Sequence, residues 1–267
     1  MKKILLGVAG SIVLGAAAPA SAADLPARVA TKAPIVVPSP VYNWSGFYIG
    51  LNGGGGSAHS CWDLTNVAGV PLAPEPEGCH NATGGTVGGQ IGYRWQAANW
   101  VFGVEAQGNW ADFKGSNVDQ ASVNGVLSDR SKVDAFGLFT GQVGYGFNNI
   151  LLYAKGGAAV VGDKYSNVFN FAGSFGGIPV SAGQTLFSAS VTRWGGTVGA
   201  GVEFGFAPHW SVALEYDHLF MGSRDVQLNL DPALGSGLET INHIRQNVDI
   251  GTVRVNYGFG GPAVARF

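Results

Sequence analysis

The stretch from Trp194 to Phe220 alternates between apolar and small or polar residues on both sides of a short turn at Ala207-Pro208-His209. Before the turn, Trp194, Val198, Ala200, Val202, Phe204 and Phe206 share one parity, and Thr197, Gly199, Gly201 and Glu203 the other. After it, Trp210, Val212, Leu214 and Tyr216 oppose Ser211, Ala213, Glu215 and Asp217. Successive side chains of a strand point to opposite faces, so this pattern demands a hairpin with two chemically different sides.

The same hairpin recurs. The spacing predicts eight strands at about 44–54, 85–95, 100–110, 135–147, 150–161, 194–206, 210–220 and 248–259. Their connections strictly alternate long and short, and the long ones, 57–83, 111–133, 162–192 and 221–246, read as loops. Pairing Trp95 with Trp100, Phe147 with Ile150 and Phe206 with Trp210 keeps the apolar faces aligned across all three short turns. About eleven residues at roughly 3.3 Å each, tilted near 45°, rise some 25 Å, the height of the apolar band of a membrane barrel.

The ends and composition agree. Lys2-Lys3, an apolar run to Ala18 and Ala20-Ser21-Ala22 form a signal peptide over 1–22. A Pro-rich tether over 23–43 follows, and the barrel occupies 44–267. Removing Lys2 and Lys3 leaves 15 − 2 = 13 basic against 17 acidic residues, a formal −4, which excludes a basic nucleic-acid binder. Charged residues are only 12% of the chain, yet after the signal no apolar run is long enough for a membrane helix. A charge-poor exported chain without such a helix fits strands that meet lipid one residue in two.

Alternation alone does not say which face is outside, since a soluble barrel also alternates. Trp95, Trp100, Phe147, Phe206 and Trp210 all sit on the apolar face beside the short turns, where an interfacial aromatic girdle belongs. The other face is mostly glycine with a few charges, unlike a solvated exterior. The apolar face is therefore read as the lipid face. Arg94, Glu105, Lys155, Glu203, Glu215 and Arg254 are then enclosed and expected to neutralise one another, with glycines making room for them. A charged selectivity filter is the alternative use of the same residues.

These residues resemble the small outer-membrane β-barrel proteins of alphaproteobacteria, the rhizobial and Brucella major surface-antigen group. The resemblance rests on AADLP after the signal, WSGFYIGLN, GGTVGGQIGYRW, LLYAKGGAA, the Trp194–Phe220 hairpin and the closing VRVNYGF. It implies an all-β fold, an eight-stranded antiparallel up-and-down transmembrane barrel with four long extracellular loops. It also implies an outer-membrane location, both ends in the periplasm and no catalytic residues. The expected partners are outer-membrane lipids and lipopolysaccharide, the assembly machinery through the C-terminal strand, and host or environmental ligands at the loops. The chain continues past the expected last strand, so either Phe259 or Phe267 is the terminal aromatic.

Cys61 and Cys79, with His59 and His80 beside them, lie in the first long connection. An exported chain favours a disulfide over a zinc site or free thiols. No cofactor or metal is expected. A lipid-modifying enzyme would need His, Asp and Ser to converge at a rim, and Asp217, His218 and Ser223 are the only loose candidates. The expected role is structural and surface-exposed, with a narrow passive pore as the alternative.

Overall fold

A computed structural model describes residues 42–260. The expected signal peptide and nearly all of the tether lie outside them. Eight long strands close into one antiparallel barrel: β1 (Gly46–Val67), β2 (Val70–Ala97), β3 (Trp100–Val118), β4 (Leu127–Phe147), β5 (Ile150–Phe169), β8 (Thr185–Ala207), β9 (Trp210–Leu230) and β10 (Glu239–Gly258). Each pairs with its sequence neighbour, and β1 meets β10 to close the ring. A small hairpin, β6 (Gly173–Phe175) and β7 (Ile178–Val180), sits in the β5–β8 connection.

Paired residues followed once round the barrel run from Phe220 through Gly196, Ala158, Phe139, Ala106, Ile91, Ile49 and Tyr257 to Trp210. The path returns to β9 displaced by 220 − 210 = 10 residues. Such a stagger forces the strands to tilt, and with eight strands it leaves an interior only wide enough for side chains.

Two registers differ from the expectation. Ala97 pairs with Trp100 and Trp95 with Phe102, so the first short turn is the two residues Ala98-Asn99. Likewise Ala207, not Phe206, pairs with Trp210 across Pro208-His209, with an irregularity between Gly205 and Ala207 that preserves the parity of the faces. Phe147 pairs with Ile150 as expected. Ala98, Asn148 and His209 supply positive φ at the three turns, the twist that two-residue hairpins need.

The larger difference lies at the other end. The stretches read as loops are mostly strand, and the barrel strands run from 19 to 28 residues. The connections shrink to Ala68-Gly69 and the segments 119–126, 170–184 and 231–238. A membrane strand needs only about ten residues, so the barrel projects well beyond its apolar belt. That belt is visible on β3, where exposed Trp100, Phe102, Val104 and Trp110 give way to Asp112 and Lys114.

The Cys61–Cys79 disulfide joins two directly opposed residues of β1 and β2 in this projecting part. Closing that loop contributes about 3 kcal/mol on the chain-entropy account. Replacing both cysteines with serine should expose 62–78 to protease while the belt region stays folded. Limited proteolysis with a gel-shift assay of the unheated protein checks this; cleavage within the belt would contradict it.

The barrel interior as candidate functional site

The inward residues form layers. At the short-turn end, Trp44 does not begin a strand; it is buried in the mouth, and its backbone N–H donates to Gln96 Oε1 at 2.9 Å. Tyr42 packs on it at 4.4 Å between ring centroids. Above them Arg94 donates to Glu203 Oε2 at 2.7 Å and lies over the Tyr48 ring at 4.3 Å. Ser211 and Asn256 donate to the other Glu203 oxygen. A vestibule of about 980 Å³ is lined by Tyr42, Trp44, Arg94, Glu203 and Ser211.

The next layer is a closed ion cluster. Arg254 donates to Glu105 Oε2 at 2.6 Å and also to Glu215 Oε2. Lys155 Nζ lies 2.7 Å from Glu215, 3.3 Å from Asp217 and 3.4 Å from Glu105. Tyr48 and Tyr153 donate their hydroxyls to Glu105 and Glu215, each at 2.6 Å. Both rings lie against glycine backbone: a Cβ at Gly92 or Gly201 would stand 2.5 Å from the Tyr48 or Tyr153 ring. Glycine on the inner face thus makes room for the side chains that bond the cluster.

All six charged residues singled out in the sequence are buried, but in two groups. Arg94 and Glu203 pair below; Glu105, Lys155, Glu215 and Arg254 cluster above with Asp217. The sequence reading did not place Asp217 with this cluster, although its parity matches Glu215. His218, its neighbour, faces outward and contacts Asp249 at 2.6 Å. Asp217 and His218 therefore diverge to opposite faces and assemble no rim triad. The girdle residues Trp95, Trp100, Phe147, Phe206 and Trp210 are all exposed outward, and Tyr93, Tyr145, Tyr257 and Phe259 extend that belt by edge contacts. The Phe259 N–H still donates to Phe47 O at 2.7 Å; Phe267 lies outside the described residues.

Higher up the lumen turns apolar. Phe113, Phe136, Leu138, Val161, Leu219 and Ile250 fill it, and Trp62, Tyr165, Phe187, Leu228 and Ile244 form a second apolar cluster beyond. Near the far end, Glu77, Asp119 and Asp129 bring carboxylate oxygens within 4.8 Å of one another. Burial and repulsion from Asp129 and Asp119 push Glu77 up to about 9. Burial, then Asp119, pushes Asp129 up to about 7. Amides answer them: Asn242 donates to Glu77 and Asn167 to Asp129. At the outer surface His59, Cys61 and Cys79 also lie together, but the disulfide uses both sulfurs and leaves no thiolate for zinc.

With this geometry in place, residues 9–259 match the family described as outer membrane protein beta-barrel domain. The 31 kDa outer-membrane immunogenic protein of Brucella melitensis biotype 1 is 32% identical over 274 residues, covering 97% of this chain and all of that protein. The chain belongs to the outer membrane protein β-barrel family. Its place is the outer membrane, as the names of its relatives state. The 22 kDa outer membrane protein of Rhizobium leguminosarum bv. viciae is 30% identical over 202 residues, 75% of this chain and 74% of that one. Among solved structures, OprG of Pseudomonas aeruginosa aligns with 82% of this chain and 100% of its own at 13% identity and a TM-score of 0.46.

Two measurements test these layers. Glu105→Leu removes one of the two carboxylates that bond Arg254 and the acceptor of the Tyr48 hydroxyl, and should cost about 3 kcal/mol; a double-mutant cycle with Lys155→Met should show coupling, whereas additive losses would contradict the cluster. Separately, the Glu77 and Asp129 carboxyls titrate higher in the folded barrel than unfolded, so the native state binds more protons between them. Stability should then fall as pH rises from about 4 to about 9. Urea midpoints should show that fall, and Glu77→Gln should reduce it; an unchanged slope would contradict the assignment.

Proposed function

We propose that this barrel is a sealed structural element of the outer membrane that holds a rigid projecting surface outside the cell, with no catalysis. The observation that carries the reading is the bonded cluster of Glu105, Lys155, Glu215 and Arg254, which spans the lumen within the apolar belt. Opening a water path there would break short charge-assisted bonds, among the stronger polar contacts a protein makes. The Tyr42–Trp44 segment below and the apolar layer above add two further obstructions.

The long strand extensions supply the other half. Their short connections and the disulfide hold the projecting end in one shape, suited to contact with other surfaces. Two relatives carry the word immunogenic in their names, which fits a surface held outside the bilayer. The vestibule at the short-turn mouth favours a second reading, a narrow pore, since it brings a wide space up to Arg94 and Glu203.

Conductance separates the two. The refolded protein in planar bilayers should give at most rare, small openings. Steady conductance whose ion selectivity changes on Glu215→Gln would favour the pore.

A further inference from the structure

We propose that the outer surface of β3, β4 and β5 just above the apolar belt docks the phosphate groups of an outer-leaflet glycolipid. Lys114, Lys132 and Lys164 are direct cross-strand partners in one row. Like charges set opposite one another in a sheet destabilise it unless anions answer them. Two aspartates do so in part. Asp112 and Asp134 each lie at a register shift, between Trp110 and Phe113 and between Val133 and Ala135. Such bulges re-aim a side chain. Here they turn both carboxylates between the lysines, on the belt side of the row.

The contacts are Lys114–Asp112 at 2.8 Å, Lys132–Asp112 at 3.5 Å, Lys132–Asp134 at 2.6 Å and Lys164–Asp134 at 2.6 Å. Three ammonium groups carry 3 × 3 = 9 N–H donors and these contacts use four, so five remain for a further acceptor. The side chains stay accessible, 62% for Lys114 and 60% for Lys164. Three cations against two carboxylates leave a surplus of one, and Arg130, paired with Ser116 and Ser166, adds another above the row.

The rest of the circumference differs. Arg245 is matched by Asp63, and His243 and His218 by Asp225 and Asp249. Arg224 on β9 donates to the Thr192 carbonyl rather than to a carboxylate, so what sets the β3–β5 side apart is that its cations stand directly opposite one another across neighbouring strands. Trp110, the last outward aromatic of β3, stands directly below the row and marks the lipid boundary. The row crosses three strands about 4.8 Å apart, so it extends about 10 Å. That length suits a headgroup bearing more than one phosphate better than a single phosphodiester. The aspartates occupy four of the donors, and the phosphates take the free ones on the solvent side.

This inference rests on the membrane location and the outward placement of the projecting end, not on whether the lumen is sealed. The test uses the mature barrel in phosphatidylcholine nanodiscs, titrated with bisphosphorylated lipid A, dephosphorylated lipid A or phosphatidylglycerol, with bound lipid read by native mass spectrometry. Bisphosphorylated lipid A should bind at least about tenfold better than the dephosphorylated form, given the attraction each basic residue adds near an anionic headgroup. K114Q/K132Q/K164Q should lose that preference, and D112N/D134N should keep or raise it, since the aspartates compete for the same protons. The single variants Lys114→Gln and Lys164→Gln, each expected to weaken the preference, carry the test if the triple variant does not fold. Undiminished lipid A binding by the lysine variants, loss of binding in D112N/D134N, or equal binding of phosphatidylglycerol would each overturn the proposal.

Discussion

Closing eight strands with a stagger of ten residues is the constraint from which the rest of this molecule follows. That closure leaves no sheet edge, which is what permits strands to cross lipid, and it makes the interior narrow. Side chains pointing inward must then meet one another. In the belt region the meeting residues are Arg254, Lys155, Glu105 and Glu215, and two tyrosine hydroxyls add to the bonding of the carboxylates. Leaving one such charge unpaired costs several kcal/mol. The cluster is thus a consequence of barrel width, and the glycines at Gly92 and Gly201 are the accommodation it needs.

The belt was legible from alternation, and the identity of its two faces from the aromatics beside the short turns and the glycine-rich, charge-poor opposite face. The projecting part was not. Above the belt the outer face meets water and the lumen turns apolar, so the alternation persists with its sense inverted: Ala58 and Trp62 point in while Ser57, His59 and Asp63 point out. The run Val226-Gln227-Leu228-Asn229-Leu230 shows the same inversion. A search for one fixed polarity ends each strand at the rim; a search for period two of either sense would have continued through it. The Pro-rich stretch 71–76 belongs to β2 all the same, and the prolines there fit strand positions that give no ladder hydrogen bond.

The interior charges were legible as a set and partly in depth. Counting up from the short turns puts Glu105, Lys155 and Glu215 five residues above a turn edge and Arg254 near that depth, whereas which side chains bond across the lumen depends on the stagger, which no local pattern encodes. Asp217 was missed for a different reason: its neighbour His218 suggested a rim site, although adjacent residues of a strand cannot share a face. Trp44 is read as the start of a strand at 44–54, whereas β1 begins at Gly46 and Trp44 is buried in the mouth beside Tyr42.

The barrel thus changes character above the rim: below the rim it is apolar outside and ionic within, and above it polar outside, with apolar clusters and bonded polar groups such as Glu77, Asp129 and Arg193 within. On this account the ion cluster in the belt is the point at which water is stopped. Hydrogen exchange at the side-chain N–H groups of Lys155 and Arg254, followed by NMR in micelles, tests that most directly. A sealed, bonded cluster predicts signals that persist long after the outward lysines Lys114 and Lys164 have exchanged. Exchange of Lys155 and Arg254 at the rate of those exposed lysines would show that water reaches the cluster freely, and would contradict the account.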